Sequence, residues 1–396
     1  MKKEKVLIVG GGFGGVKAAL ELSQDNRFEV TLLSETNHFR YHPTLYHAAT
    51  GGKRSNAIIP LSEIFADRHV SIVHGKAITL DRKAKTIITD KDETFEYDTL
   101  ILSLGVVTNY FGIPGLPEFS YGIKSIEQVE RFKNRLHQQL IDEHKPDMSY
   151  VIVGGGPTGI ELAGALPAYL KELMKAHGIR HRAIHIDLVE AAPRLMPRAP
   201  RSTSRVITRR LRRLGIRVHT GKVVQGQTAD GLMVSGKPIQ SHTVVWTAGV
   251  TNNPFFSENH FIIMPRGKVA TDIYLQADEN IFVLGDNANT PFSGMAQTAI
   301  VDGAFVANNL RRRANGRSFK SYSAKEPWSV IPAGPRWAIA TKGKFRTHGY
   351  LGWLLREGAD IIGFHDYQPW QAAGKQWLSE FGREETCKIC AASLAE

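Results

Sequence analysis

Apolar residues along this chain fall in short blocks, and two of the blocks repeat. Residues 6–20 read VLIVGGGFGGVKAAL and residues 151–166 read VIVGGGPTGIELAGAL. Each opens with a β-branched run, breaks at a glycine cluster and resumes with apolar residues at helical spacing, which predicts strand–turn–helix twice. A second strand follows each repeat, 29–35 (EVTLLSE) and 186–190 (IDLVE), closing on Glu35 and Glu190. Further on, 280–287 (NIFVLGDN) predicts a strand ending in Gly285 and Asp286, and small residues from Ala296 toward Asn309 predict a helix. No block suits a membrane span: Val6–Val9 is too short for a signal-peptide core, and the uncharged stretches 99–117 and 238–257 are broken by Gly, Pro, Asn or Ser.

Composition narrows the class. With 396 residues, 42% of them hydrophobic and 22% charged, the chain predicts two or three well-cored domains and no wholesale disorder. The 37 glycines follow no triplet period and so belong to turns and phosphate loops. Two cysteines build no disulfide scaffold and predict an intracellular protein, while a net charge of +12 predicts a basic surface.

The chemistry resides in the glycines. Gly10, Gly12 and Gly15 satisfy G-x-G-x-x-G, and Gly154, Gly156 and Gly159 repeat it. A sharp turn, close backbone approach to a diphosphate and tight helix–strand packing each require one glycine, and the helix N-terminus then meets the phosphates. Glu35 and Glu190 stand where a carboxylate accepts hydrogen bonds from ribose hydroxyls, which favours NADH over NADPH; Arg194 and Arg198 close behind Glu190 work against that preference. Two dinucleotide folds in one chain predict a resident flavin facing a diffusible nicotinamide, with Asp286 accepting from a ribityl hydroxyl. The predicted fold is α/β, with two Rossmann-like domains: a discontinuous FAD domain over 1–112 and 270–318, an NAD domain over 113–269, and a C-terminal membrane-association or interface region over 319–396.

The motifs VLIVGGGFGG, HPTLYHAATG (42–51), TNYFGIPG (108–115), VIVGGGPTGIELAGAL, WTAGV (246–250), VLGDN (283–287) and AQTA (296–299) together resemble the type II NADH dehydrogenases, single-subunit NADH:quinone oxidoreductases that pump no protons. The resemblance covers nearly the whole chain. It implies hydride transfer from NADH to N5 of a non-covalent FAD, then two-electron reduction of menaquinone or ubiquinone. It places FAD against Gly10, Gly12, Phe13, Gly14, Gly15, Glu35 and Thr36. Tyr46, Ala77, Gly105, Gly285, Asp286, Ala296 and Gln297 complete that set. NAD falls to Gly154, Gly156, Pro157, Thr158, Gly159, Glu161, Glu190, Ala248 and Gly249. Glu161 and Gln297 carry the catalytic roles, Glu161 near proton delivery and Gln297 beside the quinone. No metal is implied. A homodimer, peripheral on the cytoplasmic membrane face, is the family's setting; without lipid binding by the C-terminal region the chain would be cytoplasmic.

This chain departs from the pattern in two places. A second glutamine usual to the family is Val301 here, followed by Asp302, so another donor must meet the quinone or the acceptor differs. The usual continuous apolar C-terminal helix is interrupted by Arg356, Glu357 and Asp360, which predicts weaker membrane attachment. Further on, Phe364, Tyr367, Trp370, Trp377 and Phe381 fall near one helical face, and the basic surplus favours reading that stripe as an interfacial helix on anionic lipid. These departures keep two alternatives open: a reductase of a soluble rubredoxin- or ferredoxin-type carrier, and a non-enzymatic flavoprotein that senses NADH. Nine arginines between 194 and 217 read as a solvated helix face, since no nucleic-acid module accompanies them. Cys387 and Cys390 form a lone CxxC pair, nonessential for turnover, and the absence of cysteine from 36–60 and 130–260 excludes a disulfide reductase.

Overall fold

A computed structural model describes residues 2–142, 149–179 and 183–384, so Cys387 and Cys390 lie outside the described residues. Along the chain, β1 (Glu4–Val9) turns through the first glycine cluster into α1 (Phe13–Leu22) and β2 (Phe28–Ser34). The short α2 (Leu45–Ala49) precedes β3 (Val70–His74), β4 (Thr99–Leu102) and β5 (Val106–Thr108). The repeat then restarts with β6 (Ser149–Val153), α3 (Pro157–Ala176) and β7 (His185–Glu190). It continues through α4 (Arg201–Arg213), β8 (Arg217–Thr220), β9 (Thr243–Trp246) and β10 (Val250–Asn252). Afterwards the chain returns to the first sheet as β11 (Gln276–Asp278) and β12 (Ile281–Val283), followed by α5 (Ala296–Ala314). A C-terminal antiparallel sheet, β13 (Ser329–Pro332), β14 (Ala338–Lys342) and β15 (Phe345–Gly349), leads into α6 (Tyr350–His365) and α7 (Trp370–Ser379).

The first sheet has the order β11-β12-β4-β1-β2-β3, parallel except for β11; the second is fully parallel, β8-β7-β6-β9. Val6–Val9 and Val151–Val153 are buried on both faces, as near-continuous apolar runs in parallel sheets must be. An antiparallel ribbon of β5 and β10 spans the joint between the two units. Residues 253–269, expected with the second domain, pack on the first sheet instead: Phe255, Phe256, Phe261 and Val269 share a core with Leu7, Val9 and Leu100. The aromatic run completes a face that Ala77, Leu80, Ile87 and Tyr97 also cover.

The C-terminal helices also correct an expectation. Phe364, Tyr367 and Ala373 are core residues of the first unit, clustered with Phe13, Phe39 and Tyr41, so part of the predicted aromatic stripe is packing. The charges that seemed to interrupt α6 point inward. Arg356 and Asp360 are 8% and 2% exposed and pair at 2.6 Å, one helical turn apart. The opposite face of α6 therefore keeps an unbroken apolar stripe of Tyr350, Leu351, Leu354 and Leu355, all exposed.

Candidate functional site: two glycine cradles and the loop between them

Both glycine clusters adopt the same local structure. Gly10 and Gly154 have φ of +113° and +118°, a left-handed region that L side chains avoid. A Cβ on Gly15 would lie 2.0 Å from the Gly10 carbonyl oxygen, and one on Gly159 would lie 1.9 Å from that of Gly154. Gly12 and Gly156, the N-caps of α1 and α3, face open space: a Cβ there meets nothing within 4 Å. Each helix thus presents free N–H groups and its positive dipole end to a cradle with no side chain in the way. Phe13 and Pro157 begin the helices, with Gly14 and Thr158 next.

The first set of predicted residues converges at the carboxyl ends of the parallel strands. Gly105, just past β4, donates its N–H to Asn287 Oδ1 at 2.8 Å, and Asn287 Nδ2 donates back to the Gly105 carbonyl at 2.6 Å. Gly285, past β12 with φ +60°, donates to Asp302 Oδ2 at 3.0 Å. Asp302 in turn accepts from Tyr322 Oη at 2.6 Å, and burial raises its carboxyl to about 6. Asp286 stays half-buried beside Gly285, its carbonyl accepting from Lys268 Nζ. Ala296 starts α5, and a Cβ on Gly303 would lie 2.4 Å from the Gly14 carbonyl, so α5 crosses α1 in direct backbone contact. Glu35 lies exposed one residue beyond the end of β2, with Thr36 next, while Ala77 is buried at the start of an antiparallel strand, Ala77–Asp81.

The second set forms around β6, β7 and β9. Glu190 at the end of β7 accepts from Gly155 N at 2.6 Å and Ala192 N at 2.7 Å, which brings its carboxylate to the glycine loop. Ala248 and Gly249 follow β9 and close the other side; a Cβ on Gly154 would lie 2.8 Å from Ala248 Cα. Glu161, half-buried in the second turn of α3, has its carboxyl pushed up to about 7 by burial; the Arg356 cation opposes the rise and the Asp360 carboxylate adds to it.

Between the two cradles runs the loop 42–51. Arg356 donates to the Pro43 carbonyl at 2.9 Å, Tyr41 Oη to Asp360 at 3.2 Å, and Tyr367 Oη to the Phe13 carbonyl at 3.0 Å. Tyr46 lies half-buried in α2, where burial pushes its hydroxyl far above the usual range. The Gln297 side chain is exposed and its Oε1 accepts from Trp328 N at 2.9 Å, which ties α5 to the start of the C-terminal sheet.

Several site residues escaped the sequence reading. Lys124 Nζ is buried without a hydrogen-bond partner, and burial lowers its ammonium to about 8 although the Asp286 carboxylate works the other way. An orphaned ammonium beside the first cradle fits an anionic group bound there. Asn252 Nδ2 is likewise buried and unpartnered, next to Asn287. A lysine isolated between a Gly-Ile and a Ser carried no sequence signal; Asn287 was visible only as the last letter of VLGDN. The open cradles, the free helix ends and Lys124 fit a dinucleotide with its diphosphate on α1 and a second on α3. Among the described residues no His/Cys/Asp/Glu group arranged to hold a metal occurs.

The chain is similar to the type II NADH:quinone oxidoreductase Ndh of Mycobacterium tuberculosis, 26% identical over 388 residues, covering 89% of this chain and 83% of that one. It is also similar to the type II NADH:quinone oxidoreductase of Staphylococcus epidermidis (strain ATCC 12228), 26% identical over 356 residues, covering 84% and 88%. Among solved structures, NDH2 of Plasmodium falciparum in complex with NADH shares the fold, with a TM-score of 0.83 at 16% identity over 96% of this chain and 98% of that one. The glycine cradles and both parallel sheets fall inside residues 4–303, which match the pyridine nucleotide-disulphide oxidoreductase family over three-quarters of the sequence, and the chain belongs to that family.

Proposed function

We propose that this protein is an FAD-dependent NADH:quinone oxidoreductase that pumps no protons. The observation that carries the reading is the pair of equivalent glycine cradles, each open at its helix N-cap, with loop 42–51 and Glu161 between them. Both relatives above are named for this reaction. Bound FAD would supply the two-electron relay from a hydride donor to an acceptor that takes up electrons and protons. The chain's own residues bind and orient. The N–H groups of α1 face the diphosphate of the resident dinucleotide and those of α3 that of the visiting one, while the buried Lys124 ammonium, which feels the Asp286 carboxylate, adds positive charge to the first site. Glu190 meets the visitor's ribose, and Glu161, poised near neutrality, holds or releases a proton beside the nicotinamide.

The quinone reaches the site from a membrane surface. No helix among the described residues is long and apolar enough to cross a membrane; the exposed apolar stripe of α6, together with exposed Phe345 on β15, offers a surface for contact. Lys342, Lys344 and Arg346 precede that stripe in the sequence, and their charge suits anionic lipid. Among the described residues there is no cysteine, so none of them offers the dithiol that a disulfide substrate needs. A second reading, reduction of a soluble electron carrier, draws on Val301 and on the engagement of Gln297 by Trp328.

An anaerobic stopped-flow experiment tests the proposal. The purified protein should be yellow, bleach with NADH and recolour rapidly with menaquinone. Rapid recolouring by rubredoxin alone would replace the quinone with a soluble carrier, and a colourless protein that refuses FAD would end both readings.

A further inference from the structure

The second unit carries a hollow that the proposed reaction does not use. It has a volume of about 580 Å³ and is lined by Arg194, Arg205, Arg209, Arg212 and Arg213. We propose that this hollow binds a phosphate-dense anion, a ligand with two or more adjacent phosphates.

The charge there is assembled by the fold. In α4, positions 205, 209, 212 and 213 are spaced by four, three and one residues and share one face, while Ile207 and Leu211 on the other face are fully buried. The cations therefore stand on an element anchored in the core. Arg194 reaches the same hollow from the loop after β7, held by donation to the Ala199 carbonyl at 2.6 Å. No carboxylate lines it; the remaining polar groups include the Ser204 and Thr208 hydroxyls. Several arginines elsewhere meet a carboxylate: Arg217 with Asp187 at 2.5 Å, Arg311 with Glu21 at 3.0 Å, and Arg356 with Asp360. Among the described residues no ion pair joins Arg205, Arg209, Arg212 or Arg213 to an acid.

Like charges one turn apart repel, so the helix carries a cost that a bound anion removes. Guanidinium forks match phosphate oxygens two at a time, and the four of α4 favour a polyanion over a single charge, while Arg194, whose fork donates to the Met196, Pro197 and Ala199 carbonyls, adds its charge at the rim. The volume lies in the range of small-ligand sites, roughly 300–1,000 Å³. A comparable hollow of about 500 Å³ shows the contrast: Glu127 and Glu130 line it beside Arg131 and Arg135, so its charges balance. No aromatic side chain lines the arginine hollow, which removes the stacking surface a single-stranded nucleic acid requires. Nor does Glu190 neutralise it: Thr220 on its rim pairs in register with Glu190, but that carboxylate turns to the Gly155 and Ala192 N–H groups.

Isothermal titration of the full chain with tripolyphosphate, at fixed ionic strength and without NADH or quinone, tests the site. Saturable 1:1 binding is expected, at least tenfold weaker in Arg205→Gln/Arg209→Gln. Arg201→Gln/Arg266→Gln removes the same charge from exposed positions outside the hollow and should leave binding unchanged. In a second arm, phosphatidylcholine vesicles with and without cardiolipin offer the same paired phosphates as a lipid headgroup. A tenfold loss confined to the first arm assigns a free ligand; one confined to the cardiolipin vesicles assigns a lipid. Equal losses in site and control variants, absence of saturable binding in both arms, or sulfate binding as tightly as tripolyphosphate would overturn the proposal. None of these outcomes depends on the redox activity.

Discussion

The two glycine cradles are the same object in different surroundings. Around the first, α5 crosses α1 at backbone contact, Asp302 and Asn287 brace the Gly285 and Gly105 peptides, and the C-terminal helices reach Phe13 and Pro43. Around the second, the glycine loop meets Glu190 on one side and Ala248 on the other. A cradle braced by many elements suits a group that stays, whereas one closed by two strand ends suits a ligand that exchanges. An identical local motif therefore acquires residence or turnover from what packs on it.

The sharpest way to break this comparison is to damage each loop alike. Gly15→Ala and Gly159→Ala place a Cβ about 2 Å from a carbonyl oxygen in both cases. The first should yield colourless protein; the second should remain yellow yet fail to bleach with NADH. Absorption spectra before and after NADH decide it, and loss of colour in both would erase the distinction. Next in size is the brace. Arg356→Met leaves the Asp360 carboxylate buried without its partner, which should cost about 3–5 kcal/mol, and Arg356→Met/Asp360→Leu should recover most of it. Thermal melting followed by flavin fluorescence reads both; equal losses would make the pair incidental to the flavin loop.

The outer face of the same helix comes third. Leu351→Asp/Leu354→Asp should reduce cosedimentation with anionic vesicles about tenfold or more while leaving NADH bleaching intact, since both side chains are exposed. Glu190→Ala should narrow the NADH-to-NADPH ratio of kcat/KM by roughly tenfold, and an unchanged ratio would remove Glu190 from nucleotide choice. The smallest effect is a pH dependence. Glu161 holds its proton up to about pH 7 in the folded protein but only to the ordinary glutamate range when unfolded. Between those values the folded state binds the extra proton, so stability should fall as pH rises from about 4.5 to about 7. Melting temperatures of Glu161→Gln across that window should lack this slope.

Much of the site was legible because its chemistry is local. Gly10 and Gly154 need left-handed backbone, Gly15 and Gly159 need the absence of a Cβ, and the carboxylates Glu35 and Glu190 stand at or just past a strand end; each requirement is met within a few residues of sequence. What escaped was decided across hundreds of positions. Lys124 becomes an orphaned cation only because remote elements exclude water from it. Asp302, noted in the sequence only as the residue after a missing glutamine, is a brace because Gly285 and Tyr322 arrive at its two oxygens.

The C-terminal helices show the division most plainly. The order of residues fixed where α6 is helical and which positions share a face, because a 3.6-residue period is a property of the backbone alone. It could not say that Arg356 and Asp360 point inward, since a charged pair one turn apart looks the same on a solvated face. Burial of that pair against Tyr41 and the Pro43 carbonyl depends on a loop some 310 residues away, brought there only when the apolar residues of both segments enter one core. Sequence thus determined two nucleotide cradles and their glycines; tertiary packing decided which is braced by remote elements, which is flanked by two strand ends, and which face of α6 stays exposed.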